Sequence, residues 1–162
     1  MDYMEIKVGI ADLKVARAPD RLITIGLGSC VGIVLFDRTS GIGGLAHIML
    51  PDSKKFSKVI NDIKFADLAI PILVNKMKEM GANARNLRAK IAGGASMFNF
   101  SDSKINMDIG ERNSKAVKEI LGFFSIPLES EDVGGTKGRT ITFDTMTGAL
   151  YVRTVGEGTK TI

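Results

Sequence analysis

The sequence has one cysteine, one histidine and no tryptophan among its 162 residues. A single cysteine cannot form an internal disulfide, which argues against a secreted, disulfide-stapled scaffold. One cysteine and one histidine also supply too few ligands for a dedicated zinc site. The longest uninterrupted apolar run, residues 68–74, is far shorter than the roughly 20 residues of a membrane-spanning helix. We therefore expect no metal, no cofactor and no membrane insertion.

The charge is only mildly unbalanced, with 22 basic and 18 acidic residues giving a net charge of +4. The lysines are scattered, and the two tyrosines offer little for base stacking, so we expect no nucleic-acid partner. The N-terminus is charged early and has no apolar h-region, so we expect no signal peptide and a cytoplasmic protein.

Alternating apolar residues and β-branched runs predict eight strands. The predicted strands cover residues 5–10, 21–26, 31–36, 43–50, 87–91, 126–133, 139–144 and 149–155. We expect residues 156–162 to form a polar, frayed tail.

Two segments have the apolar spacing of a helix. The first covers residues 61–80, with Asp62 as N-cap, Gly81 just after the end, and Pro71 either bending the helix or marking a later start. The second covers residues 111–121 and is expected to end at Gly122. Because strands outnumber helices and occur in consecutive runs, a doubly wound Rossmann fold is disfavoured. We predict a single α/β domain over residues 1–162, layered, with mixed β-sheets and two main flanking helices.

The candidate nucleophile is Cys30, within residues 24–33 (TIGLGSCVGI). A free cysteine is often simply a small buried hydrophobe. This one, however, follows a glycine-rich turn, where backbone N–H groups can converge as an oxyanion hole requires. Gly28 and Ser29 are the candidate residues of that oxyanion turn.

The candidate base is His47, since no other histidine could activate Cys30. It lies in an apolar strand, where a hydrogen-bonded core histidine is the alternative interpretation. Alternation places Leu45, His47 and Met49 on one face of that strand. Thr24, the one hydroxyl in its apolar strand, is the local candidate for orienting the imidazole, although threonine is also a good strand former. Asp37, the neighbouring carboxylate, is predicted to belong to a turn.

Two glycine-rich stretches, residues 92–95 and 134–139, lack the spacing of phosphate-binding loops. We interpret them as tight turns or as walls of a site.

The segments 24–31 (TIGLGSCV) and 46–51 (AHIMLP) together resemble the signature of the CheD family, the chemoreceptor glutamine deamidases. The resemblance continues along nearly the whole chain. It takes in residues 90–98 (KIAGGASMF), 109–113 (IGERN) and 132–135 (DVGG), and then Gly138 with Arg139.

The resemblance implies hydrolysis of glutamine side-chain amides on methyl-accepting chemotaxis receptors, giving glutamate and ammonia. Residue by residue, it implies Cys30 as nucleophile, His47 as base and Thr24 as the residue that orients the imidazole. It further implies binding of the phosphatase CheC and a layered fold like that of a bacterial deamidase toxin. The same thioester chemistry would permit hydrolysis of receptor methyl esters.

Other functions stay open at this point. The chain could be a binding module that regulates CheC with an idle cysteine. A protease or a transglutaminase could use the same cysteine and histidine. Fast, selective alkylation at neutral pH is expected of a paired thiolate, and inertness of a buried structural thiol.

Overall fold

A computed structural model describes residues 2–97 and 108–162, which form ten strands and two α-helices. Phe98, the last residue of one family block, lies outside the described residues. The strands are β1 Glu5–Lys7, β2 Leu13–Arg17, β3 Arg21–Leu27, β4 Val31–Asp37, β5 Ile42–Ile48, β6 Arg88–Gly93, β7 Leu128–Val133, β8 Arg139–Asp144, β9 Leu150–Thr154 and β10 Gly158–Thr161. The helices are α1 Ala66–Glu79 and α2 Ile109–Phe123.

The strands form two five-stranded sheets, both mixed. The first sheet has the order β1-β3-β8-β9-β10, with β1 and β3 parallel and the other pairs antiparallel. The second has the order β2-β5-β4-β6-β7, with only β6 and β7 parallel. The predicted mixed α/β class with two main helices is confirmed.

The second sheet is the middle layer, which explains why every residue of β4 and β5 is buried. One face packs on the first sheet through an inter-sheet cluster that includes Val34, Leu45, Ile141 and Phe143. The other face packs on α1 and α2 through a helix-side cluster with members such as Ile33, Ile48, Leu73 and Val117. A strand buried on both faces has no polar side to display, so its sequence is nearly continuously apolar.

Several predicted elements differ from the observed ones. The predicted first strand stops at Lys7, and Ala11 turns the chain with a positive φ of 55°. Strand β2 was not predicted, because its buried residues, Leu13 and Ala16, are three positions apart and do not follow a period of two. The prediction of a frayed tail was wrong: β10 pairs with β9, although all four of its residues are exposed. Backbone hydrogen bonds form that pairing without a hydrophobic signal in the sequence.

The first helix begins later than predicted, at Ala66, because Asp62–Lys64 form a separate 3-10 turn that is followed by the extended Phe65. Asn61 caps this turn by accepting a hydrogen bond from Ile63 N–H, so Asp62 is not the cap. Pro71 lies inside α1. The second helix continues through Gly122 to Phe123.

Candidate active site

Cys30 lies where the chain crosses from one sheet to the other. Strand β3 of the first sheet ends at Leu27, and β4 of the second begins at Val31, so only residues 28–30 connect them. The register of β3 shifts between Thr24 and Leu27, and Gly26 there adopts a φ of +79°, which glycine tolerates at little cost. The carbonyl of Cys30 accepts a hydrogen bond from Gly94 N–H at 2.8 Å. The thiol therefore sits on a link that is held at both ends by strands.

His47 lies on β5 and faces the first sheet. Its neighbour on that face, Leu45, belongs to the inter-sheet cluster, whereas Ala46 and Ile48 belong to the helix-side cluster, as the alternation predicts. His47 is fully buried. Gly32 of β4 pairs with it across the ladder, and a β-carbon at Gly32 would lie 2.6 Å from Ile141 Cδ1. The first sheet can therefore pack against this position, across the ladder from His47, only because residue 32 has no side chain.

Thr24 reaches across from β3 and contacts the imidazole. Its Oγ1 lies 2.7 Å from His47 Nδ1 and 2.7 Å from the carbonyl oxygen of Val8. A hydroxyl has one hydrogen, and the Val8 carbonyl can only accept, so this hydrogen goes to Val8. The network therefore assigns Nδ1 as the protonated nitrogen, donating to Thr24, and leaves an unshared electron pair on Nε2. That tautomer is the one a general base requires.

Cys30 and His47 both border the gap between the two sheets. Cys30 lies just before β4 and packs against the inter-sheet cluster, and His47 lies on the face of β5 that bears Leu45, a member of the same cluster. The cysteine is partly exposed, whereas His47 Nε2 is buried and has no hydrogen-bond partner among the described residues. The same apolar cluster therefore borders a partly exposed thiol and a buried basic nitrogen.

Burial governs the protonation of both groups. It lowers the pKa of His47 from 6.5 to about 4, because the imidazolium would lose its hydration. It also raises the pKa of the Cys30 thiol, an effect partly offset by that residue's own backbone N–H. Thiol and imidazole are therefore both neutral at pH 7 in the free protein. These two pKa shifts disfavour a preformed thiolate–imidazolium pair, whose thiolate would be alkylated quickly.

The turn before Cys30 has donors of two kinds. Gly28 N–H bonds to the Gly26 carbonyl at 3.1 Å, whereas the N–H groups of Ser29 and Cys30 donate to no backbone carbonyl among the described residues. A β-carbon at Gly28 would lie 3.2 Å from the side chain of Met97, which is half exposed. The assignment of Gly28 and Ser29 as an oxyanion turn stays a prediction.

Both glycine-rich stretches contribute to the wall behind Cys30. Ala95 N–H bonds to the Gly28 carbonyl at 2.8 Å, and Gly134 N–H bonds to the Gly93 carbonyl at 3.0 Å. Asp37 was predicted to belong to a turn, but it is the last residue of β4 and pairs with Ile42. Its carboxylate accepts hydrogen bonds from the backbone of Thr39, in the turn that follows, and of Asn83. These bonds outweigh its burial and hold the pKa of Asp37 below its ordinary value.

Asn113 on α2 is a site residue to which the sequence pattern gave no role. It is fully buried, and its Nδ2 donates to the carbonyls of Ser29 and Met49, both at 2.9 Å. Its signal in the sequence was its place in the family block 109–113 (IGERN). Over residues 2–97 and 108–162, no group of three or more His, Cys, Asp or Glu side chains could hold a metal ion. In the same residues, no helix is both long and apolar enough to cross a bilayer.

Two comparisons with known proteins, one against family models and one against individual relatives, indicate the same family. A family model described as "CheD chemotactic sensory transduction" matches residues 49–154, a span that begins after His47. A protein of Clostridium botulinum (strain Hall), named "Probable chemoreceptor glutamine deamidase CheD", is 66% identical over 162 residues, which is 100% of both chains. A protein of Clostridium kluyveri with the same name is 64% identical over the same length.

Among solved structures, the Bacillus licheniformis hypothetical protein YfiH is similar with a TM-score of 0.49 and 16% identity. The match covers 75% of this chain and 49% of that one. A likeness at this level carries no conclusion about function.

Proposed function

Because this chain belongs to the CheD family, we propose that it is a chemoreceptor glutamine deamidase with Cys30 as its nucleophile. Its substrates would be glutamine side chains of methyl-accepting chemotaxis receptors, converted to glutamate with release of ammonia. The observation that supports the proposal most directly is the Thr24–His47 hydrogen bond, because it leaves an unshared electron pair on Nε2 of a histidine whose neighbour Leu45 belongs to the cluster that Cys30 packs against.

The reaction begins when a glutamine carboxamide enters beside Cys30. His47 Nε2 takes the thiol proton while sulfur attacks the carboxamide carbon, forming a C–S bond and a tetrahedral oxyanion. The N–H groups of Ser29 and Cys30, which have no backbone acceptor among the described residues, would stabilise that oxyanion. The imidazolium then protonates the nitrogen, the C–N bond breaks, and ammonia leaves a thioester on Cys30.

Water completes the cycle. His47 Nε2 removes a proton from water as its oxygen attacks the thioester, the C–S bond breaks, and the thiol regains the proton. Glutamate is the product, and no redox partner or cofactor takes part. A neutral resting state suits this order of steps. The imidazolium and the oxyanion form in the same step, and they attract each other in the low-dielectric gap between the sheets.

The family resemblance extends the proposal to partners. We infer that residues 1–162 act as one unit in the cytoplasm, that the chain binds CheC, and that receptor methyl esters are further substrates. Methyl ester hydrolysis needs the same attack with methanol as the leaving group. These inferences rest on the family resemblance.

Mass spectrometry of receptor peptides, incubated with and without the protein, tests the proposed function. Conversion of specific glutamines, seen as the small mass gain from amide to acid, is the expected result. Unchanged glutamines together with retained binding to CheC would instead identify a regulatory binding module. Cleaved peptides or incorporated amines would identify a protease or a transglutaminase, and either would refute the deamidase.

A further inference from the structure

We propose that Asn113 is a positioning residue that holds the link bearing Cys30 at a fixed distance from the strand bearing His47. This inference rests on the proposed function and adds a residue to its site. Asn113 belongs to α2, which is remote in sequence from both segments and contributes no reacting group.

The hydrogen bonds of Asn113 join the two halves of the site. One Nδ2 hydrogen goes to the carbonyl of Ser29, directly before Cys30, and the other to the carbonyl of Met49, two residues after His47. Both acceptors are carbonyl oxygens, so the amide nitrogen, and not the amide oxygen, must face them. A single amide group thereby ties the nucleophile link to the end of the histidine strand.

The two acceptors lie just outside the strands. Ser29 lies in the three-residue link between β3 and β4, and Met49 comes just after β5 ends. The β4–β5 ladder pairs Val31 with Ile48 and goes no further in this direction. Asn113 therefore connects the segments next to β4 and β5 just beyond their last ladder pair, at the level of Cys30.

Helix α2 is itself fixed against the same wall. A β-carbon at Gly110 would collide with the carbonyl of Ala95, and one at Gly94 would collide with Ser114 Oγ. Gly94 and Ala95 in turn donate hydrogen bonds to the carbonyls of Cys30 and Gly28. The asparagine is thus held by a helix that cannot shift without moving the loop behind the thiol.

The two donors of the amide explain the choice of asparagine at this buried position. Its Oδ1 is buried and accepts no hydrogen bond from the described residues, which opposes folding. Leucine has a similar volume but would leave the Ser29 and Met49 carbonyls without their side-chain donor. A geometric requirement for two donors at this point accounts for the amide.

The test compares Asn113→Leu and the smaller Asn113→Ala with Thr145→Val. Thr145 likewise donates from a buried side chain to a backbone carbonyl, that of Asp20, at the far end of β3 from Cys30. Two readouts are measured on each folded variant: turnover of a receptor fragment, and alkylation of Cys30 by iodoacetamide at pH 7. Thermal melts establish that each variant is folded under the assay conditions.

We expect the Asn113 variants to lower kcat by about 10- to 100-fold with KM within about threefold, because a displaced nucleophile affects the reaction more than binding. Alkylation should become at least several-fold faster, since a released link exposes the thiol and weakens the burial that raises its pKa. Thr145→Val should leave both rates within about twofold of the wild-type protein.

Unchanged kcat and alkylation in both folded Asn113 variants would overturn the proposal, as would equal changes in Thr145→Val. If the wild-type protein released no ammonia, the deamidase proposal would fail while the alkylation comparison still decided the role of Asn113. Should Asn113→Leu not fold, Asn113→Ala supplies the same comparison.

Discussion

Replacing Thr24 by valine tests how the imidazole is oriented. The two side chains have nearly the same shape, so the substitution removes one hydroxyl and little volume. Two contacts disappear with it: the 2.7 Å hydrogen bond to His47 Nδ1 and the 2.7 Å hydrogen bond to the Val8 carbonyl. Nothing then favours the tautomer with the hydrogen on Nδ1, and Nε2 can carry it instead.

The size of the effect on rate follows from the lost hydrogen bond. A buried hydrogen bond contributes about 0.5–1.5 kcal/mol net, and leaving its partner unsatisfied costs about 1–3 kcal/mol. Since about 1.4 kcal/mol corresponds to a factor of ten, we expect deamidation by Thr24→Val to be about 10- to 100-fold slower. The effect should fall on kcat, because Thr24 is fully buried and does not touch the substrate.

Stability must be measured beside activity. The Val8 carbonyl loses its side-chain donor, so the free energy of unfolding should drop by about 1–3 kcal/mol. Ammonia release from a receptor fragment gives kcat and KM, and urea titration gives the stability. Thr24→Ser, which keeps the hydroxyl, is the matched control and should retain most of the rate. Wild-type kcat in a folded Thr24→Val protein would refute the orienting role.

Three further predictions follow from burial and backbone geometry. Burial lowers the pKa of His47 to about 4, so between pH 6.5 and pH 4 the unfolded chain binds a proton that the folded chain does not. The free energy of unfolding is therefore highest above pH 6.5 and falls as the pH decreases towards 4. Urea unfolding should show about 2 kcal/mol less stability at pH 5 than at pH 7.5, and a His47→Gln variant that kept the whole difference would contradict this assignment. Because burial raises the pKa of Cys30, its alkylation by iodoacetamide in the free protein should keep rising up to and beyond pH 9, and a plateau already reached at pH 6 would instead indicate a standing ion pair. Gly93 has a φ of +114°, and a β-carbon there would collide with the Cys30 carbonyl, so Gly93→Ala should lower the free energy of unfolding by about 3 kcal/mol or more. In the control Gly9→Ala nothing lies within 4 Å of the added β-carbon, so the loss should be less than about 1 kcal/mol. Equal losses in urea or thermal unfolding would show that the wall behind Cys30 is not tightly packed.

Local patterns were sufficient for the central strands. Residues of β4 and β5 are apolar on both faces, and the face carrying His47 could be deduced from alternation. They were insufficient where pairing uses only the backbone: β10 has four exposed residues and no periodicity to detect. The start of α1 was misplaced because an extended Phe65 separates it from the preceding 3-10 turn, while the apolar spacing runs through both.

The sequence could identify the candidate residues of the site but not their arrangement in space. A sole cysteine after a glycine-rich turn, a sole histidine in a strand and a lone hydroxyl, Thr24, in an apolar strand are visible in the sequence, and the family resemblance implies the same three residues. The contact between Thr24 and His47 joins strands of different sheets, and no rule based on spacing describes how two sheets stack. The role of Asn113 was harder still to predict, because its two hydrogen-bond acceptors lie 84 and 64 residues away in the sequence.

The most direct measurement compares ammonia release from a receptor fragment by the wild-type protein and by Cys30→Ala. The thiol is only partly buried, so the substitution should leave the fold and the binding of the fragment intact. We predict a rate at least about a thousandfold lower, at the level of the uncatalysed reaction, because the thioester cannot form. Ammonia release by Cys30→Ala at the wild-type rate would contradict the assignment of this sulfur as the nucleophile.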